Sequence, residues 1–200
     1  FQLDPITVGQ VLAVHGKPIN EHWTHSKQPS EVENQVTEAL YRSRPRSLRQ
    51  MLLLQNALRP LPADAKGEKM IAADGLQGAG EMFAQLAQTG EARREEGAWV
   101  FSPRMVKYLN GDWLEQYVAR ALRGDGRFSD VAGNLQLAGV ENELDVACTL
   151  NGKLAIVECK SGKLEKGQGA VMVSRLRALK DSLAGTFGKT FLVTCYETRQ

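Results

Sequence analysis

The chain has 200 residues, a formal net charge of +2, 42% hydrophobic and 24% charged residues, which suits a soluble globular protein with one large domain or two small ones. No apolar run reaches bilayer-spanning length, which argues against a helical membrane protein; the chain opens on Phe1 rather than Met, with no charged-then-apolar targeting segment, so it reads as a cytoplasmic fragment with more sequence upstream. The charge is too small to announce a nucleic-acid partner by itself, although its excess lies in the second half, with 14 Lys/Arg against 11 Asp/Glu over residues 98–200 and 11 against 12 before them.

The first part predicts helices. TVGQVLAVHG carries a cap at Thr7, a stop at Gly16 and an apolar face of Val8, Val11 and Leu12. SEVENQVTEALYRS opens with Ser30 and Glu33 in capping-box spacing and has a stripe of Val32, Val36, Ala39 and Leu40. Pro45 breaks that helix, and RSLRQMLLLQNAL starts another. Residues 60–80, rich in Pro, Gly and Ala, read as a mobile connection. GEMFAQLAQTG follows as a short helix closed by Gly90.

From about Trp99 the pattern changes. AWVF predicts a short strand and NGDWLEQYVARALRG an amphipathic helix. NLQLAG, ELDVACTL and KLAIVECK predict three strands, VMVSRLRALKDSLAG a helix, and KTFLVTCYE a last strand. That order predicts an α/β fold, a mixed central sheet flanked by helices. The division expected is a helical accessory region over 1–97 and the α/β domain over 98–200. Cys148, Cys159 and Cys195 are odd in number, lie in strand-like runs and lack C-x-x-C spacing, so they read as reduced, packed thiols.

The chemistry concentrates in one hairpin. Asn151-Gly152 between two apolar runs predicts a two-residue type I′ turn. The turn pairs Leu150 with Lys153, and counting outward brings Asp145 opposite Glu158, with Cβ atoms roughly 4.5–5.5 Å apart. Lys160, two residues on, shares the face of Glu158. The rest of the hairpin is apolar on both faces, the mark of central strands. Two opposed buried carboxylates repel, raising one pKa, unless a cation lies between them. A hard divalent ion such as Mg²⁺ or Mn²⁺ satisfies both, and Lys160 beside it can orient a water or offset charge on a phosphate. The structural alternative, a Lys160 salt bridge to one acid, leaves the second acid unpaired, which costs several kcal/mol. In the preceding helix Glu115 lies about 20° beyond Leu122 at 100° per residue, on the border of the buried stripe of Leu114, Tyr117, Val118, Ala121 and Leu122.

Asp145, then Glu158-Cys159-Lys160 after twelve intervening residues, preceded by a helix with Glu115, resembles the PD-(D/E)XK nuclease superfamily. Leu144 stands where the superfamily's name has proline. The stretches GDWLEQYV, NELDVACTLNGKLAIVECKSGK and LRALKDSLAGTFGKTFLVT further resemble the C-terminal part of CRISPR-associated ancillary nucleases whose N-terminal CARF domain senses cyclic oligoadenylate. The resemblance covers residues 99–200 well and 1–97 weakly. It implies a restriction-endonuclease-like sheet and Mg²⁺ or Mn²⁺ on Asp145 and Glu158. It also implies water assistance by Lys160 and metal support by Glu115, a DNA or RNA substrate, a homodimer, and a sensor domain upstream in the parent protein. The alternative is a non-catalytic nucleic-acid-binding or dimerisation module that keeps the fold.

Other candidates are weaker. His15, His22 and His25 have no Cys or acid at zinc spacing. Arg42, Arg44, Arg46 and Arg49 form a basic run that reads as a solvated face or a phosphate contact. Gly78-Ala79-Gly80 lacks the G-K-[ST] of a phosphate loop. Gln168 lies where some superfamily members carry a supporting glutamine, and Lys163 and Lys166 flank the site where a phosphate backbone would run.

Overall fold

The computed structural model describes residues 5–20, 28–42, 46–72, 80–138 and 143–195. Helices α1 (Val8–Val14), α2 (Glu31–Arg42) and α3 (Arg46–Leu58) lead to strand β1 (Lys69–Ala72), helix α4 (Gly80–Gln88), strands β2 (Ala92–Glu95) and β3 (Ala98–Phe101) and the short helix α5 (Pro103–Lys107). A π-helical turn, Tyr108–Asp112, runs into α6 (Trp113–Asp125). Then come β4 (Asp130–Gln136), β5 (Glu143–Leu150), β6 (Lys153–Lys160), α7 (Gln168–Leu179) with a π-helical continuation Lys180–Ala184, and β7 (Lys189–Thr194). The described chain divides into two compact units: Pro29–Trp113, and Phe1–Gln28 with Leu114–Gln200.

In the Pro29–Trp113 unit the capping box at Ser30 forms as predicted. Ser30 N–H donates to Glu33 Oε2 at 2.6 Å, and Glu33 N–H donates to Ser30 Oγ at 3.2 Å. The buried face of α2 is Glu33, Val36, Thr37 and Leu40, turned from the expected stripe because the Thr37 hydroxyl has a buried partner in Tyr108 Oη at 2.9 Å. The connection expected over 60–80 holds strand β1, which pairs antiparallel with the central β3 of a three-stranded sheet ordered β1-β3-β2. Residues 73–79, with Gly78 and Ala79, lie outside the described residues. The β2–β3 hairpin turns at Glu96-Gly97, both at positive φ (44° and 81°), so the division expected at residue 97 falls on a hairpin turn. A two-residue turn without Asn or Asp gave little sequence signal. The short α5 was also not expected; Ser102 caps it and Pro103 takes its first turn, where a missing N–H costs nothing.

In the other unit the predicted mixed sheet is present. Four strands run β4-β5-β6-β7, antiparallel except for the parallel β6–β7 pair. Asn151 and Gly152 take φ of 50° and 70°, as a type I′ turn requires. Strands β5 and β6 match the expected runs, whereas β4 begins four residues earlier than NLQLAG, in a stretch without clear alternation. Seven-residue α1 is too short to hold itself. Its Thr7 forms a capping box with Gln10, and Val8 and Leu12 enter the cluster of Leu144, Ala147, Leu154, Ile156, Leu179 and Leu183. Val8 N–H also donates to Asp130 Oδ2 at 2.8 Å, so the N-terminal helix belongs with the sheet that follows far along the chain, not with the helices next to it in sequence. Cys148 and Cys159 are buried free thiols. No helix among the described residues is long and apolar enough to cross a membrane.

Candidate active site

Strands β5 and β6 pair residue by residue from Leu150–Lys153 to Val146–Val157. The ladder stops one rung short of Asp145 and Glu158. On its other side β5 pairs with β4 up to Gly133–Val146 and again from Leu135–Leu144, skipping Asn134 and Asp145. Asn134 takes the left-handed φ of 53°, a conformation Asn tolerates better than most residues. Leu144 and Ala147 are three apart, yet both enter one cluster with Leu135 and Leu137; a regular strand would turn them to opposite faces. Both strands therefore change face at this step.

Asp145, at the centre of the change, turns its carboxylate towards the neighbouring strand. Its Oδ2 accepts the backbone N–H of Cys159 at 2.7 Å, the place a strand carbonyl would otherwise take. The expected directly opposed rung is corrected in that detail, while the two acids remain neighbours. Burial, followed by the negative charge of Glu158, pushes the Asp145 carboxyl up to about 6, against the opposing pull of the Cys159 N–H and Lys160.

Glu158 is 5% exposed. One oxygen, Oε1, faces two cations: Lys160 Nζ at 3.1 Å and Arg175 Nη1 at 3.7 Å. Lys160 follows two positions along the strand, as the sequence predicts. Arg175 comes from α7, and sequence reasoning missed it. The signal for it was faint: Arg175 lies in the inward stripe of Met172, Leu176 and Leu179, where a charge is out of place.

Glu115 lies near the site: its charge, after burial and Asp145, helps push the Cys159 thiol up. It does not complete a cluster, since among the described residues no three His, Cys, Asp or Glu side chains gather as a metal set. Asp145 and Glu158 supply hard oxygen donors whose mutual repulsion a cation would relieve. Mg²⁺ and Mn²⁺ take one or two protein carboxylates and complete their shells with water and phosphate oxygens, so this donor pair fits such an ion.

The remaining candidates fall elsewhere. Gln168 is exposed, and its Oε1 accepts the Glu165 N–H at 3.0 Å, tying the loop before α7. Lys163 and Lys166 are exposed on that loop. His15 packs against Gly185, 3.5 Å from where a Cβ would stand there; His22, His25 and Arg44 lie outside the described residues. Arg42 pairs with Glu38 one turn back at 2.9 Å, a helix-surface pair.

Residues 103–200 match the family model of the Card1-like endonuclease domain. The fold is shared with protein VC1899 from Vibrio cholerae, at a TM-score of 0.73 and 25% identity over 98% of this chain and 54% of that one. It is shared too with Can2 from Sulfobacillus thermosulfidooxidans, solved in complex with cyclic tetra-adenylate, at a TM-score of 0.65 and 24% identity over 99% of this chain and 54% of that one. The chain thus spans about half the length of each (54%). No protein of curated function matches it. With the D…ExK residues on adjacent central strands and the family match over the same stretch, residues 103–200 form a CRISPR-associated, PD-(D/E)XK-like endonuclease domain of the Card1-like kind.

Proposed function

We propose that the chain hydrolyses phosphodiester bonds of DNA or RNA with Mg²⁺ or Mn²⁺ held by Asp145 and Glu158, Glu115 supporting the site through water. The observation that carries this reading is the pairing of half-buried Asp145 with buried Glu158 at a break in two strand ladders, the first pushed up to about 6 and the second with a lysine 3.1 Å away. A fold that needed only a sheet would fill those positions with apolar side chains at no electrostatic cost. When bound, the divalent ion lowers the pKa of a water and neutralises charge on the phosphate. Asp145 is oriented for that role by the Cys159 N–H, which fixes its carboxylate against rotation. Glu158 is held on the same end of the sheet by β6, and Lys160 beside it donates to the attacking water or to the phosphate as charge builds there.

The wider setting is part of the same proposal. This chain is the effector half of a cytoplasmic, homodimeric defence protein whose cyclic-oligoadenylate sensor lies outside these 200 residues. The fold shared with Can2, over about half of that protein (54%), supports it.

Labelled single- and double-stranded DNA and RNA, incubated with Mn²⁺, Mg²⁺ or EDTA, test the reading. Cleavage is expected with either metal and is abolished by EDTA. Asp145→Ala and Glu158→Ala lose both cleavage and calorimetric Mn²⁺ affinity. Lys160→Ala loses about 10³-fold in rate and keeps metal binding. Glu115→Ala loses about tenfold, as a supporting group does. Cleavage that survives EDTA, or a Lys160→Ala variant as fast as the parent, overturns it.

A further inference from the structure

Among the described residues near the site, Arg175 is the one side chain with a buried donor left unspent. Its guanidinium stands 3.7 Å from Glu158 Oε1, beyond a good charge-assisted hydrogen bond, and that oxygen already pairs with Lys160 at 3.1 Å. Its Nε–H is buried and has no hydrogen-bond partner among the described residues. An arginine placed to brace Glu158 would present its planar fork, two N–H groups to two oxygens. Here a single long approach is made to an oxygen that is already neutralised. The side chain is only 40% exposed and rises from the inward stripe of α7 beside buried Leu176 and Leu179. Leaving an N–H of a charged group dry and unpaired is costly, so a partner is expected from beyond the described residues.

The surroundings say what charge that partner carries. Between residues 160 and 180 there are six basic residues, Lys160, Lys163, Lys166, Arg175, Arg177 and Lys180, against a single acid, Glu165. The stretch is strongly basic in a chain whose net charge is only +2.

We propose that Arg175 is a substrate-binding residue that clamps a non-bridging oxygen of a nucleic-acid backbone phosphate at the site. This rests on the nuclease reading above and adds to it a residue outside the D…ExK motif. The guanidinium donates N–H bonds to a phosphate oxygen and positions the phosphate over Glu158 and Lys160; no bond is made or broken by it.

The test compares Arg175→Ala and Arg175→Lys with the parent in the full protein. Binding of a fluorescein-labelled single-stranded oligonucleotide is followed by anisotropy in EDTA over a salt series, and cleavage in Mn²⁺. Losing a phosphate contact lowers the slope of log affinity against log salt by about 0.7 for a single strand, a readout that a bracing role would leave unchanged. Arg175→Ala is expected to lose that slope and about 10²-fold in kcat/KM, while Mn²⁺ affinity stays at or above the parent's. Arg175→Lys restores the slope, because it restores the charge, but only part of the rate, because it lacks the fork. A parental slope and rate in Arg175→Ala overturn the proposal while leaving the nuclease reading standing. A parent that binds no Mn²⁺ and cuts nothing overturns both.

Discussion

The two units of this chain bury polar groups in opposite ways. In Pro29–Trp113 the buried polar groups find partners in the same unit. Gln55, fully buried, accepts from Trp113 Nε1–H at 3.2 Å and donates to the Asn110 carbonyl at 3.0 Å. The Tyr108 phenol, pushed up by burial, is joined to Thr37. Glu33 is spent on the backbone and hydroxyl of Ser30. In the unit holding Leu114–Gln200 the groups around buried Glu158, at the open end of the β5–β6 hairpin, are charged, half-buried, crowded and incompletely matched: two acids side by side, two cations on one oxygen, an arginine N–H with no acceptor among the described residues. Satisfied networks stabilise a fold; unmatched buried charge costs stability and persists where chemistry uses it. The contrast therefore sets a region of satisfied polar groups apart from the one in which the proposed chemistry lies, without reference to any relative.

The strongest way to break that contrast is to attack the satisfied network. Gln55→Ala leaves the Trp113 indole N–H and the Asn110 carbonyl without this partner and opens a cavity, at a cost of roughly 3–4 kcal/mol of stability. Urea unfolding followed by tryptophan fluorescence should show the loss as a lower midpoint at unchanged slope. Under conditions where the variant is folded, kcat in Mn²⁺ should match the parent's. A variant with parental stability, or one that is stable but inactive, would show that the two units do not divide structure from chemistry in this way.

What the sequence made legible follows the same division. The hairpin was readable almost to the residue because its turn has one good solution: Asn151 and Gly152 accept positive φ at little cost, and the register follows by counting. The nearness of Asp145, Glu158 and Lys160 to one another came with it. Counting does not reveal where a ladder stops. The sideways turn of Asp145 depends on a left-handed Asn134 in the neighbouring strand and on both strands changing face, and periodicity in one strand carries no trace of the other. Arg175 was hidden for a different reason. Val171 and Val173 are 70% and 43% exposed, so α7 has no clean apolar stripe against which an intruding charge would stand out. The placement of α1 on the distant sheet is a non-local packing choice that a capped seven-residue helix does not announce.

A smaller effect sharpens the contrast from the reactive side. Between about pH 4 and 6 the folded chain keeps a proton on Asp145, whose carboxyl is pushed up to about 6, that the unfolded chain has already released. Stability in EDTA should therefore fall as the pH rises through that window, and the penalty should remain in full above it. Asp145→Asn keeps an acceptor for the Cys159 N–H and removes the charge. It should be near neutral at about pH 4 and stabilising by on the order of 1–2 kcal/mol at about pH 7. Thermal unfolding across that range measures it. With Mn²⁺ present the order should reverse, because the parent alone gains stability from the ion. A parent that grows more stable with pH through this window would contradict the repulsion on which the proposed metal site rests.

The smallest effect is the most discriminating, because it compares like with like. Each unit has a nearly buried glutamate approached by one arginine at the limit of an ion pair: Glu33 by Arg104 at 3.4 Å and Glu158 by Arg175 at 3.7 Å. Geometry alone would give the two arginines the same role. Their surroundings differ. Glu33 already accepts from the Ser30 N–H and hydroxyl, and the Arg104 side chain is 53% exposed, so its donors have water and its pair is worth little. Arg104→Ala should cost about 0.5 kcal/mol or less, weaken further in added salt, and leave both the oligonucleotide salt slope and kcat at parental values. Arg175→Ala removes a still longer ion pair, yet it should change slope and rate instead. Should the two substitutions behave alike in stability, salt slope and turnover, then a buried donor without a partner does not mark a binding residue in this protein, and the distinction drawn between its two units fails at the point where it is most specific.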